Sequence, residues 1–186
     1  GFGVCGGVAE PQPACYAPVK ARASVLKLKD RSDDKKDRLV WKWAKGQATS
    51  LAELGDPRAG TDYRLCLYDR VSAVSSLALG ATAPAAAAAC GSKPCWREVA
   101  AKGFKYKDKN GASDGLASLM LRSGAEGRAK LKVKGKGGGL ALPSLPPFQD
   151  PAVELQLKNS AGGCWGASFS QPALTADSSR FKDKSD

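Results

Sequence analysis

The feature that most constrains this chain is a two-residue alternation of apolar and polar, mostly basic, side chains. Leu26 and Leu28 alternate with Lys27 and Lys29, and Leu39, Trp41 and Trp43 with Val40, Lys42 and Ala44. Tyr63, Leu65 and Leu67 oppose Arg64, Cys66 and Tyr68, and Phe104 and Tyr106 oppose Lys105 and Lys107. Leu131 and Val133 stand between Lys130, Lys132 and Lys134, while Val153, Leu155 and Leu157 oppose Glu154, Gln156 and Lys158. Trp165, Ala167 and Phe169 close the series. Successive strand residues point to opposite sides of a sheet, so this period marks strands with one dry and one wet face.

Turn clusters separate these segments: DRSDDKKD, GDPRAGTD, DKNGASDG, KGKGGG and NSAGG. Helical signal is scarce; GLASLMLRSG (115–124) reads as a helical turn or a strand, and QATSLAELG (47–55) could hold a short helix. Many short strands without intervening helices predict an all-β fold, an antiparallel β-sandwich of jelly-roll-like arrangement, with an eight-stranded barrel as the competing architecture. A chain of 186 residues, 42% hydrophobic, suffices for one such domain with its own core. Residues 1–22 carry glycines, prolines and two cysteines without periodicity, and read as an irregular, disulfide-stapled N-terminal arm ahead of a domain at 23–186. The alanine-rich tract 81–90, interrupted by Pro84, reads as a loop or packed surface segment. The polar end SSRFKDKSD reads as a weakly paired, fraying tail.

Six cysteines and no histidine narrow the chemistry. Histidine-based triads, Cys–His zinc sites and c-type haem attachment are excluded. The cysteine spacings lack the CxxC pairs of a four-cysteine zinc site, and an even count in loop-like positions predicts disulfides and an oxidising compartment. The pairing expected from local loops is Cys5–Cys15 and Cys90–Cys95, leaving Cys66–Cys164. A start at Gly1 fits a removed secretory signal. No apolar run is long enough to span a membrane.

The formal charge of +11 raises the question of nucleic acid, and KGFKYKDKNG (102–111) has the look of an RNA-binding strand. In such strands the aromatics lie on the open sheet face, where bases stack. Here Phe104 and Tyr106 share one face and the lysines the other, so the aromatic face is the expected core face. The long helices of that fold are also missing, and the charge is spread over nearly every strand. A specific nucleic-acid site is therefore not expected.

The segments VLKLKDRSDDKKDRLVWKWAKGQAT, DYRLCLYD, GSKPCWRE, KGFKYKDKNGASDG, AKLKVKGKGGGL, CWGASFS and FKDKSD occur in this order. Together they resemble a family of secreted β-rich domains of unknown function from environmental bacteria, over residues 24–186. The resemblance implies an exported module and supplies no catalytic residues. The arm at 1–22 lies outside its pattern.

Candidate sites are few. Asp108, Asn110 and Asp114 place oxygens at alternating offsets, as a calcium loop would, but flanking lysines and the missing bidentate Glu favour an Asx-rich turn. The acidic cluster Asp30, Asp33, Asp34 and Asp37 is neutralised by Arg31, Lys35, Lys36 and Arg38 and reads as a solvated hairpin. Glu53, Glu98, Glu126 and Glu154 are scattered, and no acid pair of the glycosidase type stands out. No cofactor or enzyme activity is expected. Trp96, beside Cys95 and Arg97, is the tryptophan expected at the surface and a candidate glycan-stacking residue. Val4, Val8, Tyr16 and Val19 are apolar anchors by which the arm could reach a second copy. These readings point to a secreted structural protein, a subunit of an extracellular filament or surface assembly, with acidic glycans or other polyanions as further partners. A carbohydrate-binding, adhesive module is the alternative.

Overall fold

Trp43, on one sheet, donates its indole N–H across the core to the Gly166 carbonyl of the other at 2.9 Å. This bond spans a sandwich of two antiparallel sheets, described by a computed structural model for Cys5, residues 10–85 and residues 89–186. The strands in chain order are β1 (Ser24–Lys29), β2 (Arg38–Gly46), β3 (Tyr63–Val71), β4 (Val74–Ala83), β5 (Ala89–Cys90), β6 (Lys93–Pro94) and β7 (Trp96–Glu98). They continue with β8 (Gly103–Lys107), β9 (Leu116–Arg122), β10 (Ala129–Lys136), β11 (Ala152–Asn159), β12 (Cys164–Ser170), β13 (Thr175–Asp177) and β14 (Arg180–Lys184). The large sheet has the order β13-β14-β1-β2-β10-β9-β8-β7 and the small one β12-β11-β3-β4, while β5 and β6 form a separate ribbon. Two open sheets decide against the barrel. Early strands pair with late ones, β1 with β14, β2 with β10 and β3 with β11, a pairing shared with jelly rolls.

The alternation in the sequence becomes the two faces of these sheets. Leu26, Leu28, Leu39, Trp41, Trp43, Leu131 and Val133 point from the large sheet into one apolar core. Tyr63, Leu65, Leu67, Val153, Leu155, Leu157, Trp165 and Phe169 meet them from the small one. Burying one such side chain contributes about 1.5–3 kcal/mol, so the inward face settles the register. A one-residue slip would turn the apolar set outward.

The structure decides one open alternative of the sequence and departs from three expectations. Residues 115–124, open between a helical turn and a strand, contain the strand β9, because Leu116, Leu119 and Leu121 are buried between β8 and β10. The tract beginning at Ala81 starts inside β4, where small side chains let Ala81 and Ala83 pack fully buried in the core. The C-terminal segment does not fray: β14 pairs with β1 from Val25–Lys184 to Lys29–Arg180. Phe181 fills the core, and the buried Asp183 carboxylate accepts the Gln149 side-chain N–H at 2.7 Å. Residues 47–55 form turns instead of a helix.

Candidate functional site

Cross-strand partners in an antiparallel sheet point to the same side, so the registers of the large sheet show what its outer face carries. One row across it reads Lys182, Lys27, Val40, Lys134, Ser118, Lys107. The next reads Lys184, Val25, Lys42, Lys132, Met120, Lys105, Arg97. A third joins Arg180, Lys29, Arg38 and Lys136, and a fourth Lys130 and Arg122. In the registered positions of this side, the carboxylate is Asp177 at the sheet's edge, 3.6 Å from Arg180. The other ion pairs among the described residues belong to Lys36, Arg58 and Arg70, none of them on this face. The lysines therefore face one another. The Lys132 amine is held below its ordinary value by the charge of Lys134, then by partial burial, then by Lys42.

The face is not featureless. Val25 and Val40 form the floor of a depression of about 200 Å³, rimmed by Lys27, Lys42, Lys182 and Lys184. Beyond the end of β8, a recess of about 530 Å³ lies between the β5–β6 ribbon and the turn after β8, with Lys93, Arg97, Lys105, Lys107 and Lys109 around it. A second, of about 420 Å³, lies on the other side of the same turn, among Lys35, Arg38, Lys109, Lys136 and the glycines 137–139. Along the sequence the basic residues lie on separate strands and the charge reads as dispersed. The fold gathers it, because β1, β2, β8, β10 and β14 all enter one sheet.

The outer face of the small sheet is occupied. The arm is not stapled to itself: Cys5 pairs with Cys66 on β3 and Cys15 with Cys164 on β12, while Cys90–Cys95 closes the β5–β6 ribbon. The local-loop argument failed for the first two because Cys66 and Cys164 point away from the core, toward the side where the arm lies. Gln156 fixes it further, accepting the Gln12 N–H at 2.9 Å and donating to the Gln12 carbonyl at 2.8 Å. The arm passes close over Gly166, where a Cβ would lie 3.4 Å from the Cys15 Cβ. Tyr16 bridges to Trp165 with backbone hydrogen bonds and donates its hydroxyl to Glu53. Val19 donates its N–H to the Lys45 carbonyl and keeps a half-open side chain. Tyr16 and Val19 thus serve their own domain; Val4 and Val8 lie outside the described residues.

Trp96 is not at the surface. It is 3% exposed, its ring lies between Tyr63 and Tyr106 at 5.5 and 5.1 Å, and its N–H donates to the Pro84 carbonyl. Its position after Cys95 hid the fact that it faces inward in register with Tyr106. A sugar has no access to that ring. The Asp108 carboxylate accepts the Asn110 and Ala112 N–H groups, which is Asx-turn geometry, and Asp114 accepts the N–H of the distant Thr82 on β4. Among the described residues no three acidic or cysteine side chains gather as a metal site. The scattered glutamates have separate local partners: Glu53 with Tyr16 and Ser50, Glu98 with Arg58, Glu126 with Ala48, and Glu154 with Arg70. Phe104 and Tyr106 are buried and Lys105 and Lys107 turn outward, as the alternation predicts.

Lys93, Arg97 and Lys109 were missed as site residues. The available signal was a cluster of cations around a short cysteine loop, but only the pairing of β7 with β8 brings them to one recess. Among the described residues no helix is long and apolar enough to cross a membrane. Comparison with protein-family models, curated proteins and solved structures finds no match to this chain.

Proposed function

We propose that this protein is a secreted β-sandwich that binds an extended acidic polysaccharide along its lysine face, as a structural or adhesive component outside the cell. The observation that carries the reading is the row-by-row crowding of lysines on one side of one sheet, with Asp177 at the rim. Adjacent strands lie about 4.8 Å apart, so a polyanion crossing the sheet meets a cation at nearly every step. Such a field attracts polyanions and is screened by salt.

Two features favour a polysaccharide over a nucleic acid. Single-strand binders stack bases on exposed aromatic rings, and the registered rows of this face contain none. In their place stand Val25 and Val40, which suit the weakly apolar face of a sugar ring while the lysines meet its acids. Three disulfides support an oxidising compartment. With the described part of the arm fastened to its own domain, a shared polymer would join neighbouring molecules.

The test is binding of polygalacturonate, heparin, neutral dextran and oligothymidylate by isothermal titration calorimetry at several salt concentrations. Acidic polysaccharides should bind with affinity falling steadily as salt rises, dextran should not bind, and Lys42→Gln with Lys132→Gln should weaken the interaction. Tighter binding of oligothymidylate than of either acidic polysaccharide, or equal binding of dextran, would sink the reading.

A further inference from the structure

The two basic recesses share a wall. Lys109 and Asn110, in the turn that follows β8, line both. That turn is rigid for reasons visible around it. Both oxygens of the buried Asp108 carboxylate are taken by the N–H groups of Asn110 and Ala112, at 2.9 and 2.7 Å. Behind it, Gly115 adopts a positive φ of +74°, and a side chain there would come 2.4 Å from the Leu140 nitrogen. Backbone therefore packs on backbone, and the turn is held against the segment after β10. On the far side of the first recess the wall is the ribbon closed by Cys90–Cys95, tied to β8 by the Lys107 N–H donated to the Cys95 carbonyl at 2.9 Å.

The carboxylate lining the first recess is thus engaged in holding the turn, while the other charged side chains there are cations, with Ser92 and Asn110 as hydroxyl and amide partners; at the second recess Asp34 comes beside Gly138, among Lys35, Arg38, Lys109 and Lys136. A recess of about 530 Å³ falls in the range of about 300–1,000 Å³ typical of small-ligand sites, unlike the open face beside it. Its lining holds no aromatic ring on which a base could stack. Cations to meet acids, and a hydroxyl and an amide to meet sugar hydroxyls, are the chemistry of an acidic sugar.

We propose that these paired recesses are the specific subsite of the surface. Each takes one of two successive acidic sugars, carboxylated or sulfated, of a chain that bridges the Lys109–Asn110 wall. The open lysine face then holds the rest of the polymer without selecting it. This inference rests on the polysaccharide reading and adds to it a place where a short oligosaccharide suffices.

The experiment titrates a galacturonate tetrasaccharide and a heparin-derived tetrasaccharide, beside their parent polymers, into the intact protein. Two variants are compared with it, Lys93→Gln/Lys109→Gln in the recesses and Lys27→Gln/Lys42→Gln on the face. All four side chains are exposed, and circular dichroism checks that each variant is folded. A charge-assisted hydrogen bond lost without replacement corresponds to roughly ten-fold in affinity or more. The recess variant should lose that much for a tetrasaccharide and far less for the polymer, and the face variant should do the reverse. Whichever tetrasaccharide binds identifies the acid. If polymer binds but neither tetrasaccharide does, or if the recess variant binds tetrasaccharide as the wild type does, the subsite is overturned while the polysaccharide reading stands. If neither polymer binds, both fall.

Discussion

Lys42 on β2 and Lys132 on β10 are direct cross-strand partners at the centre of the eight-stranded sheet, both on its outer side. Like charges so opposed destabilise a sheet. Lys134, one pleat along, adds the larger part of the repulsion that lowers the Lys132 value. A lysine whose folded value is lowered weakens the fold while it is charged. The penalty is fully present below the folded value and disappears above the unfolded one, about 10.4. Lys132→Thr should therefore raise the thermal midpoint at pH 7 and lower affinity for acidic polysaccharide, with the stability gain vanishing above about pH 10.4. A variant that is less stable at pH 7 would show that the lysine stem matters more than its charge.

Trp96 tests the division between core and binding face. Replacing a buried Trp by Ala costs about 3–5 kcal/mol, and Trp96 is enclosed by Tyr63 and Tyr106. Trp96→Ala should lower the urea midpoint strongly and leave polysaccharide affinity unchanged wherever the variant is folded. A selective loss of sugar binding at normal stability would return this residue to the surface.

The disulfides should contribute unequally. Cys15–Cys164 spans 149 residues, Cys5–Cys66 spans 61, and Cys90–Cys95 spans five. On the chain-entropy relation these correspond to about 5, 4 and 2 kcal/mol. Cys15→Ser/Cys164→Ser should therefore destabilise more than Cys90→Ser/Cys95→Ser in chemical denaturation. The second pair should instead loosen the recess wall and weaken tetrasaccharide binding. The reverse ranking would contradict this account.

The arm should be acid-sensitive at one point. Hydrogen bonds from the Tyr16 hydroxyl, and then from the Ser50 N–H and hydroxyl, hold the Glu53 carboxyl below its ordinary value. A depressed carboxyl stabilises the fold above its unfolded value, about 4.3, and that stability is lost as pH falls through the folded value. Wild type and Glu53→Gln should differ in thermal midpoint at pH 7 and converge in strong acid. A gap that stays constant through acid would remove the carboxylate from the explanation.

What could be read from the sequence was whatever depends on neighbours along the chain. The alternation around Trp41 and Val133 revealed strands and their inward faces, because a period of two is a local property. Trp96 was misjudged because three residues of β7 are too few to show a period, and its inward direction comes from pairing with β8. The cysteine pairing failed for a related reason. Cys66 and Cys164 sit on the outward side of their strands, and nothing near them in sequence reveals that the arm crosses there. The lysine face lay between these cases. Each strand displayed its basic side, but only non-local pairing, β14 with β1 and β2 with β10, sums them into one surface.

The bond between Cys15 and Cys164 closes a covalent ring through β1 to β11 and into β12. Cleavage of any one peptide bond between those cysteines leaves two fragments still linked through sulfur. The turns in that span, including those beside the basic recesses, can each be nicked by a protease without the molecule losing a piece. A chain fastened to a polymer outside the cell would keep its hold after such a cut, and would come apart only when cut twice or reduced.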